Sequence, residues 1–223
     1  MTYSLRDRNV LVTAGSRGLG ALVAQKFAAE GCNVAINYIS SKDVAEKLAS
    51  ELQTQYKVKA ITIQGDASLQ KDCANAVKTI IEQFGGLDII VSNAGWTKIT
   101  RFADLDATNE EDWDRCWSTN VKGNLHLFKE ALPTFNANPE GGVFLMTSST
   151  AGNKVRVNAV LPGLLLTEWG QRFPPEIVEL YKQKTVLNRV VDLEDTANAY
   201  IMLAKNSSMT GQSIQIDAGL VIK

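Results

Sequence analysis

Short apolar runs alternate with longer amphipathic stretches from Val10 to Ser92, and this alternation leaves the chain few architectures to choose from. VLVT (10–13) precedes a stretch that puts Leu19, Leu22, Val23 and Phe27 on one helical face and closes at Gly31. NVAIN (33–37) follows, with Ser40 and Ser41 as N-cap candidates for a helix whose inner side is Val44, Ala45, Leu48 and Leu52. KAITIQ (59–64) opens a third unit, whose helix starts near Ser68, carries Cys73, Val77, Ile80, Ile81 and Phe84, and stops at Gly85 and Gly86. DIIVS (88–92) is apolar without alternation, the pattern of a strand covered on both faces. Such units predict an α/β fold: a doubly wound, Rossmann-like parallel sheet in a three-layer αβα arrangement, built by right-handed crossovers. A chain of 223 residues fits one such domain, 1–223.

The second half breaks this rhythm at one place. A long helical stretch, about 108–135, leads to FLMTS (144–148), and VRVNAVL (155–161) follows almost at once. Both runs read as interior strands of a parallel sheet, which normally need a crossover helix between them. The connecting residues 148–154 can span roughly 25 Å fully extended, against ~17 Å to return along a strand, so length permits the parallel return. What fails is coverage: without the helix, Val, Leu and Phe side chains on one sheet face are expected to be bare. A hairpin with VRVNAVL antiparallel beside FLMTS is the competing solution. Beyond it, Pro174 and Pro175 open a helix, another runs from about Asp192 to Lys205, and SIQID (213–217) is a last strand.

Basic and acidic residues number 23 and 24 and are interspersed, so no footprint for nucleic acid or an anionic membrane is visible. The N-terminus lacks the apolar core of a signal peptide and no run of about 18 apolar residues occurs, which points to a cytoplasmic protein without a membrane partner. Cys32, Cys73 and Cys116 with a single His fit no zinc spacing or disulfide framework and read as buried free thiols; no metal is expected.

TAGSRGLG (13–20) lies between the first strand and the first helix. Glycines there let backbone N–H groups approach a pyrophosphate, and the helix N-terminus favours its charge, although a glycine-rich turn can also be only a tight turn. Other motifs follow in order: Asp66 after the third strand, Asn93-Ala94-Gly95 after the fourth, Asn120 in the long helix, Ser149 three residues before Gly152, Asn158, Pro162-Gly163 and Thr167. Taken together the chain resembles the short-chain dehydrogenase/reductase family over nearly its whole length. It departs from that family's TGxxxGxG loop at one position, where Ala14 stands for the first glycine.

The resemblance implies an oxidoreductase that interconverts a carbonyl and an alcohol. It implies that Gly18, Leu19 and Gly20 meet a nicotinamide cofactor's diphosphate, with Thr13 and Ser16 in the same loop. Asp66, beside Ala67, would accept from the adenine amino group; Asn93, Ala94 and Gly95 would line the ribose; Pro162, Gly163 and Thr167 would reach the nicotinamide end. Ser149 would bond the substrate carbonyl oxygen and Asn120 would place a relay water. Charge decides between cofactors. A 2′-OH reader needs an acid at the end of the second strand, but the chain has Asn37 there, followed by Ser40, Ser41 and Lys42, with Arg17 in the loop, so NADP(H) is expected.

The family's proton donor is a Tyr with a Lys four residues later on one helical face. Residues four after Tyr3, Tyr56, Tyr181 and Tyr200 are Asp7, Ala60, Thr185 and Ala204; only Tyr38 has Lys42, before Ser149 and at the adenosine end. The pair should lie on the helix absent between FLMTS and VRVNAVL, a deficit on the order of 30 residues by the usual size of a crossover. Impaired turnover is therefore expected, with a nucleotide-binding or partner protein as the alternative. Homo-oligomers of the family pair through the long helix and the absent one, so any oligomer should be weakened. Trp113 and Trp117, four apart, read as helix core, with a remaining interface stripe as the alternative, and Trp96 and Trp169 as pocket walls or as surface or lid packing.

Overall fold

The computed structural model describes residues 3–98, 100, 105–146 and 155–221. Seven strands form one sheet: β1 (Asn9–Val12), β2 (Asn33–Tyr38), β3 (Ala60–Gln64), β4 (Ile89–Ser92), β5 (Gly142–Met146), β6 (Val155–Pro162) and β7 (Ser213–Ile216). Their order is β3-β2-β1-β4-β5-β6-β7 and every pairing is parallel. The helices are α1 (Gly18–Ala29), α2 (Lys42–Tyr56), α3 (Gln70–Phe84), α4 (Glu110–Trp117), α5 (Gly123–Ala137), α6 (Pro175–Lys184) and α7 (Leu193–Lys205). The doubly wound α/β arrangement is the one the alternation of runs dictates.

The strands lack polar–apolar alternation because both their faces are covered. Val10 and Val12 of β1 pack with Val23, Phe27, Tyr200 and Leu203 on the side of α1 and α7, while Leu11 packs with Ile80, Leu127 and Phe135 on the side of α3 and α5. In α2 the inner face is Ala45, Leu48, Ala49 and Leu52; Val44, expected inside, is 50% exposed because it lies one position off that stripe. The long helical stretch is not one helix. Asn109 caps α4 in a reciprocal box with Asp112, and a π-turn, Ser118–Lys122, separates α4 from α5. Trp113 and Trp117, read as core, are 66% and 58% exposed on its outer face.

β5 and β6 pair in parallel, Gly142 with Val155 through Met146 with Ala159, which removes the hairpin alternative. The residues between them, 147–154, lie outside the described part of the chain, and with them the expected crossover deficit. Of the described side chains on these strands, Phe144, Val157 and Ala159 are buried, Phe144 edge-on to Phe128 at 5.5 Å, and Leu161 is the exposed one, so the bare face expected there is not seen among them. Asn158 is buried and ties β6 to the following turn, donating to Met209 O and accepting from Gln212 N. Among the described residues no helix is long and apolar enough to cross a membrane.

Burial raises four protonated groups together. The Cys32 and Cys73 thiols and the Tyr3 and Tyr200 phenols are all pushed up to about 12, chiefly because the interior disfavours their charged forms. In the unfolded chain the thiols ionise near 9.0 and the phenols near 10.0. The unfolded state therefore releases protons first as pH rises, so this stability is whole below pH 9 and drains away between about 9 and 12. Urea midpoints are expected to hold steady from pH 7 to 8.5 and fall progressively at pH 10 and 11. A midpoint unchanged at pH 11 contradicts it.

Candidate functional site

The strand order reverses between β1 and β4, and the crevice beyond their carboxyl ends is where an open parallel sheet offers room for a ligand. Thr13 joins the two edges of this crevice. Its Oγ1 accepts from the backbone N–H groups of Asn93 and Ala94, each at 2.9 Å, across 80 residues or more of chain. The Asn93 amide in turn donates to Thr13 O at 3.1 Å and Ala14 O at 3.4 Å. Thr13 and Asn93 thus position the glycine loop and the Asn93-Ala94-Gly95 turn against each other; Thr13 is almost wholly buried.

A cavity of about 150 Å³ opens beside this junction. Of the residues singled out from sequence it gathers Ser16, Arg17, Asn37, Ser41, Asp66, Ala67, Ala94 and Gly95. Gly18, Leu19, Gly20, Lys42, Pro162, Gly163 and Thr167 lie outside its lining: the first three open α1, and Lys42 begins α2 with its ammonium 3.7 Å from Glu46. A broader hollow of about 320 Å³ on α2 is a dish formed by four side chains of one helix face and cannot enclose a ligand.

Within the cavity, Asp66 Oδ1 accepts from Ser68 N at 2.9 Å, leaving its other oxygen for an outside donor, while Asp72 accepts from Asp66 N and fixes the turn. Asn37 plays a different part from the one expected of a phosphate donor. Its amide donates to Ile63 O and Gly65 O, and its carbonyl oxygen accepts from Ala14 N, so both donor hydrogens are taken and the side chain ties the end of β3 to the glycine loop. Ser41 occupies the N-cap position of α2 without making a capping bond, and its hydroxyl lies 3.5 Å from Arg17 Nη1. Arg115 and Thr119 also line the cavity, and Arg115 stacks on the Trp96 ring at 4.8 Å. Sequence reading missed both residues; they sit five and one positions before Asn120, in α4 and the π-turn respectively, and no motif marks them.

The glycine loop makes a backbone approach that side chains would block. A Cβ on Gly20 would meet Ala14 O at 2.4 Å and Asn93 Nδ2 at 2.6 Å. Ala14, by contrast, has φ +48°, a left-handed conformation that costs an L-residue roughly 1–2 kcal/mol. The Ala14→Gly variant is expected to be more stable by about 0.5 kcal/mol, the relief of strain less the entropy a new glycine adds to the unfolded chain. Matched urea curves test the sign, and a lower midpoint for the variant would show Ala14 to be unstrained.

Asn120 lies in the π-turn. Its amide carbonyl accepts from Trp96 N and its NH2 donates to Trp96 O, both at 2.8 Å, while its backbone carbonyl accepts from Asn124 Nδ2 at 2.6 Å. The side-chain NH2 is committed to Trp96 O and Cys116 Sγ, and one lone pair on each of the two Asn120 carbonyl oxygens is left for a water. Ser149, the other expected catalytic residue, lies outside the described residues. The segment after β6 crosses the glycine loop, with Thr167 about 3.5 Å from where a Gly18 Cβ would stand. Gly163 N donates to Ile216 O, Leu164 N donates to the Tyr181 hydroxyl at 2.9 Å, and that hydroxyl lies 3.3 Å from Asp217 O, which pins the segment to β7. Trp169 stacks edge-on to Phe173 at 6.3 Å, beside this crossing. Among the described residues no cluster of His, Cys, Asp and Glu could hold a metal.

Residues 8–159 match the short chain dehydrogenase family, and residues 148–221 match a family described as enoyl-(acyl carrier protein) reductase. The chain is 34% identical over 239 residues to the granaticin polyketide synthase putative ketoacyl reductase 2 of Streptomyces violaceoruber, covering 94% of each. It is 27% identical to the 3-oxoacyl-acyl-carrier-protein reductase FabG of Staphylococcus epidermidis, over 96% of this chain and 99% of that one. Among solved structures, a short chain dehydrogenase from Burkholderia cenocepacia in complex with NADP superposes with a TM-score of 0.87 at 26% identity, covering 97% of this chain and 99% of that one. The NADPH-dependent 3-quinuclidinone reductase of Rhodotorula rubra gives 0.86 at 25% identity, with 99% and 94% covered.

Proposed function

The chain belongs to the short-chain dehydrogenase family of oxidoreductases, and from that premise we propose that it binds NADP(H) and acts on a ketone or its alcohol, with impaired turnover. The observation that carries the cofactor choice is the cavity itself: among its lining residues Arg17 and Arg115 are the cations and Asp66 the one carboxylate, and the end of β2 offers Ser40 and Ser41 rather than an acid. A ribose 2′-phosphate needs donors and positive charge where a 2′-OH needs an acceptor. The glycine loop suits a diphosphate because Gly20 lets Ala14 O and the Asn93 amide close in on the start of α1, where a Cβ would not fit, and Gly18 opens that helix in a left-handed conformation.

Gly18, Leu19 and Gly20 would hold the diphosphate, Arg17, Ser41 and Lys42 the 2′-phosphate, Asp66 and Ala67 the adenine, Ala94 and Gly95 the ribose, and Thr167, after Pro162 and Gly163, the carboxamide end. When bound, the reduced nicotinamide supplies the hydride. Ser149 would donate to the substrate carbonyl oxygen, and the Asn120 carbonyl would hold a water. A ketone rather than an aldehyde is favoured by the two relatives named as ketoacyl and 3-oxoacyl reductases. Residues 1–223 act as one domain in this reading.

Impaired turnover rests on the missing proton donor. No Tyr in the second half has a Lys four residues later. The alignment length supports a deficit: 239 aligned positions against 94% of a 223-residue chain leave about 30 without a counterpart here. An oligomer pairing through α4 and α5 would bury Trp113 and Trp117, and the absent helix would weaken it.

Fluorescence titration tests the binding half. NADPH is expected to saturate with a micromolar Kd, and NADH to bind at least about tenfold more weakly because it lacks the charged group facing Arg17. Absence of saturable NADPH binding overturns the reading.

A further inference from the structure

Arg17 stands at the N-cap position of α1 and reaches two ways. Its Nη1 is 3.5 Å from Ser41 Oγ on the cavity side, and its Nε is 3.8 Å from Glu168 Oε2 on the other. Glu168 follows Thr167, the residue packed over Gly18, so a carboxylate carried on the crossing segment faces the cation of the glycine loop. Glu168 does not line the cavity; its charge acts there only through Arg17. Lys42, the other cation at this end, is already beside Glu46.

We propose that Glu168 is a specificity-determining residue: it competes with the cofactor's 2′-phosphate for Arg17, and so lowers the preference for the phosphorylated coenzyme while tethering the crossing segment to the glycine loop. This rests on the cofactor reading above. An arginine held by a carboxylate must exchange that partner for the phosphate, and the carboxylate left behind repels the incoming anion. The pair is exposed, 57% and 74% at the two side chains, so the competition is modest and salt-sensitive.

The test is fluorescence titration of NADPH and NADH with the full chain, in wild type, E168Q, R17A and the double variant, at low salt and at 0.5 M salt. E168Q is expected to bind NADPH about two- to fivefold more tightly and NADH unchanged, with the gain shrinking at high salt. In the R17A background E168Q is expected to change nothing. A purely structural Glu168 shifts both coenzymes alike; that outcome, no change, weaker NADPH binding, or a gain that survives without Arg17 overturns the proposal. A wild type that binds neither coenzyme overturns the cofactor reading instead, and this proposal with it.

Discussion

Under saturating NADPH, carbonyl reduction is expected to run about 10²- to 10⁴-fold more slowly than in a family member that carries the Tyr and Lys pair, because that is what a positioned general acid contributes. The five tyrosines are poor substitutes. Tyr200 is fully buried in α7 and Tyr3 lies against the Arg8 and Arg156 guanidiniums at 4.6 and 5.1 Å; burial pushes both phenols up to about 12, away from the pH at which they would release a proton. The Tyr181 hydroxyl is occupied by Leu164 N and faces Asp217 O, and Tyr56 ends α2, on the outer layer. Tyr38 lines the adenosine end of the cavity, and its neighbour Lys42 faces Glu46. Among the described residues, His126, half-buried on α5, makes no hydrogen bond to a residue of the site. Steady-state NADPH oxidation across a panel of ketones and aldehydes, beside an intact relative, gives the measurement. Turnover matching the relative would mean that another group delivers the proton, and the impairment would have to be abandoned.

Gly20→Ala is expected to raise the NADPH Kd by about 10- to 100-fold, the second largest effect. The added methyl would stand 2.4 Å from Ala14 O and 2.6 Å from Asn93 Nδ2, contacts that no Cβ sustains. One neighbour is backbone and the other is the amide that holds the Thr13 and Ala14 carbonyls, so relief requires moving the glycine loop or the Asn93 turn. Overpacking of this kind costs roughly 1–3 kcal/mol, and here it falls on the loop that must approach the diphosphate. Titration of the variant measures it, with circular dichroism showing whether the fold is kept. An unaltered Kd in a folded variant would mean that the diphosphate lies elsewhere.

Much of this was legible in order along the chain. The β1–α1 turn, Asp66 and Asn93 all fall at ends of elements that periodicity and turn residues mark locally, while the π-turn that holds Asn120 carries no such mark. The single capping assumption that failed is informative: Ser41 sits at the N-cap of α2 but makes no cap bond, so residue type alone misassigned its hydroxyl. Asn37, which does line the cavity, shows the same limit. Its position near the end of β2 marks it as a ribose-side residue, yet its amide hydrogens are taken by Ile63 O in β3 and Gly65 O just beyond it, contacts that local sequence does not reveal. Val44 and the two tryptophans of α4 miss the core because a stripe one position wide in error turns a side chain about 100° around a helix.

The sequence by itself determined the α/β class, the alternation of strands and helices through the first half, and the residue types at each strand end, since these follow from local periodicity and backbone chemistry; the parallel pairing of β5 with β6 and the break between α4 and α5 came from the tertiary structure. Only the tertiary structure decided that Thr13 bonds the Asn93 turn, that Arg115 stacks on Trp96 over the cavity, and that Glu168 faces Arg17. The physical reason is that short-range propensity fixes φ and ψ residue by residue, whereas a hydrogen bond or ion pair across 80 or 150 residues exists only once strand order has brought its two ends within a few ångström.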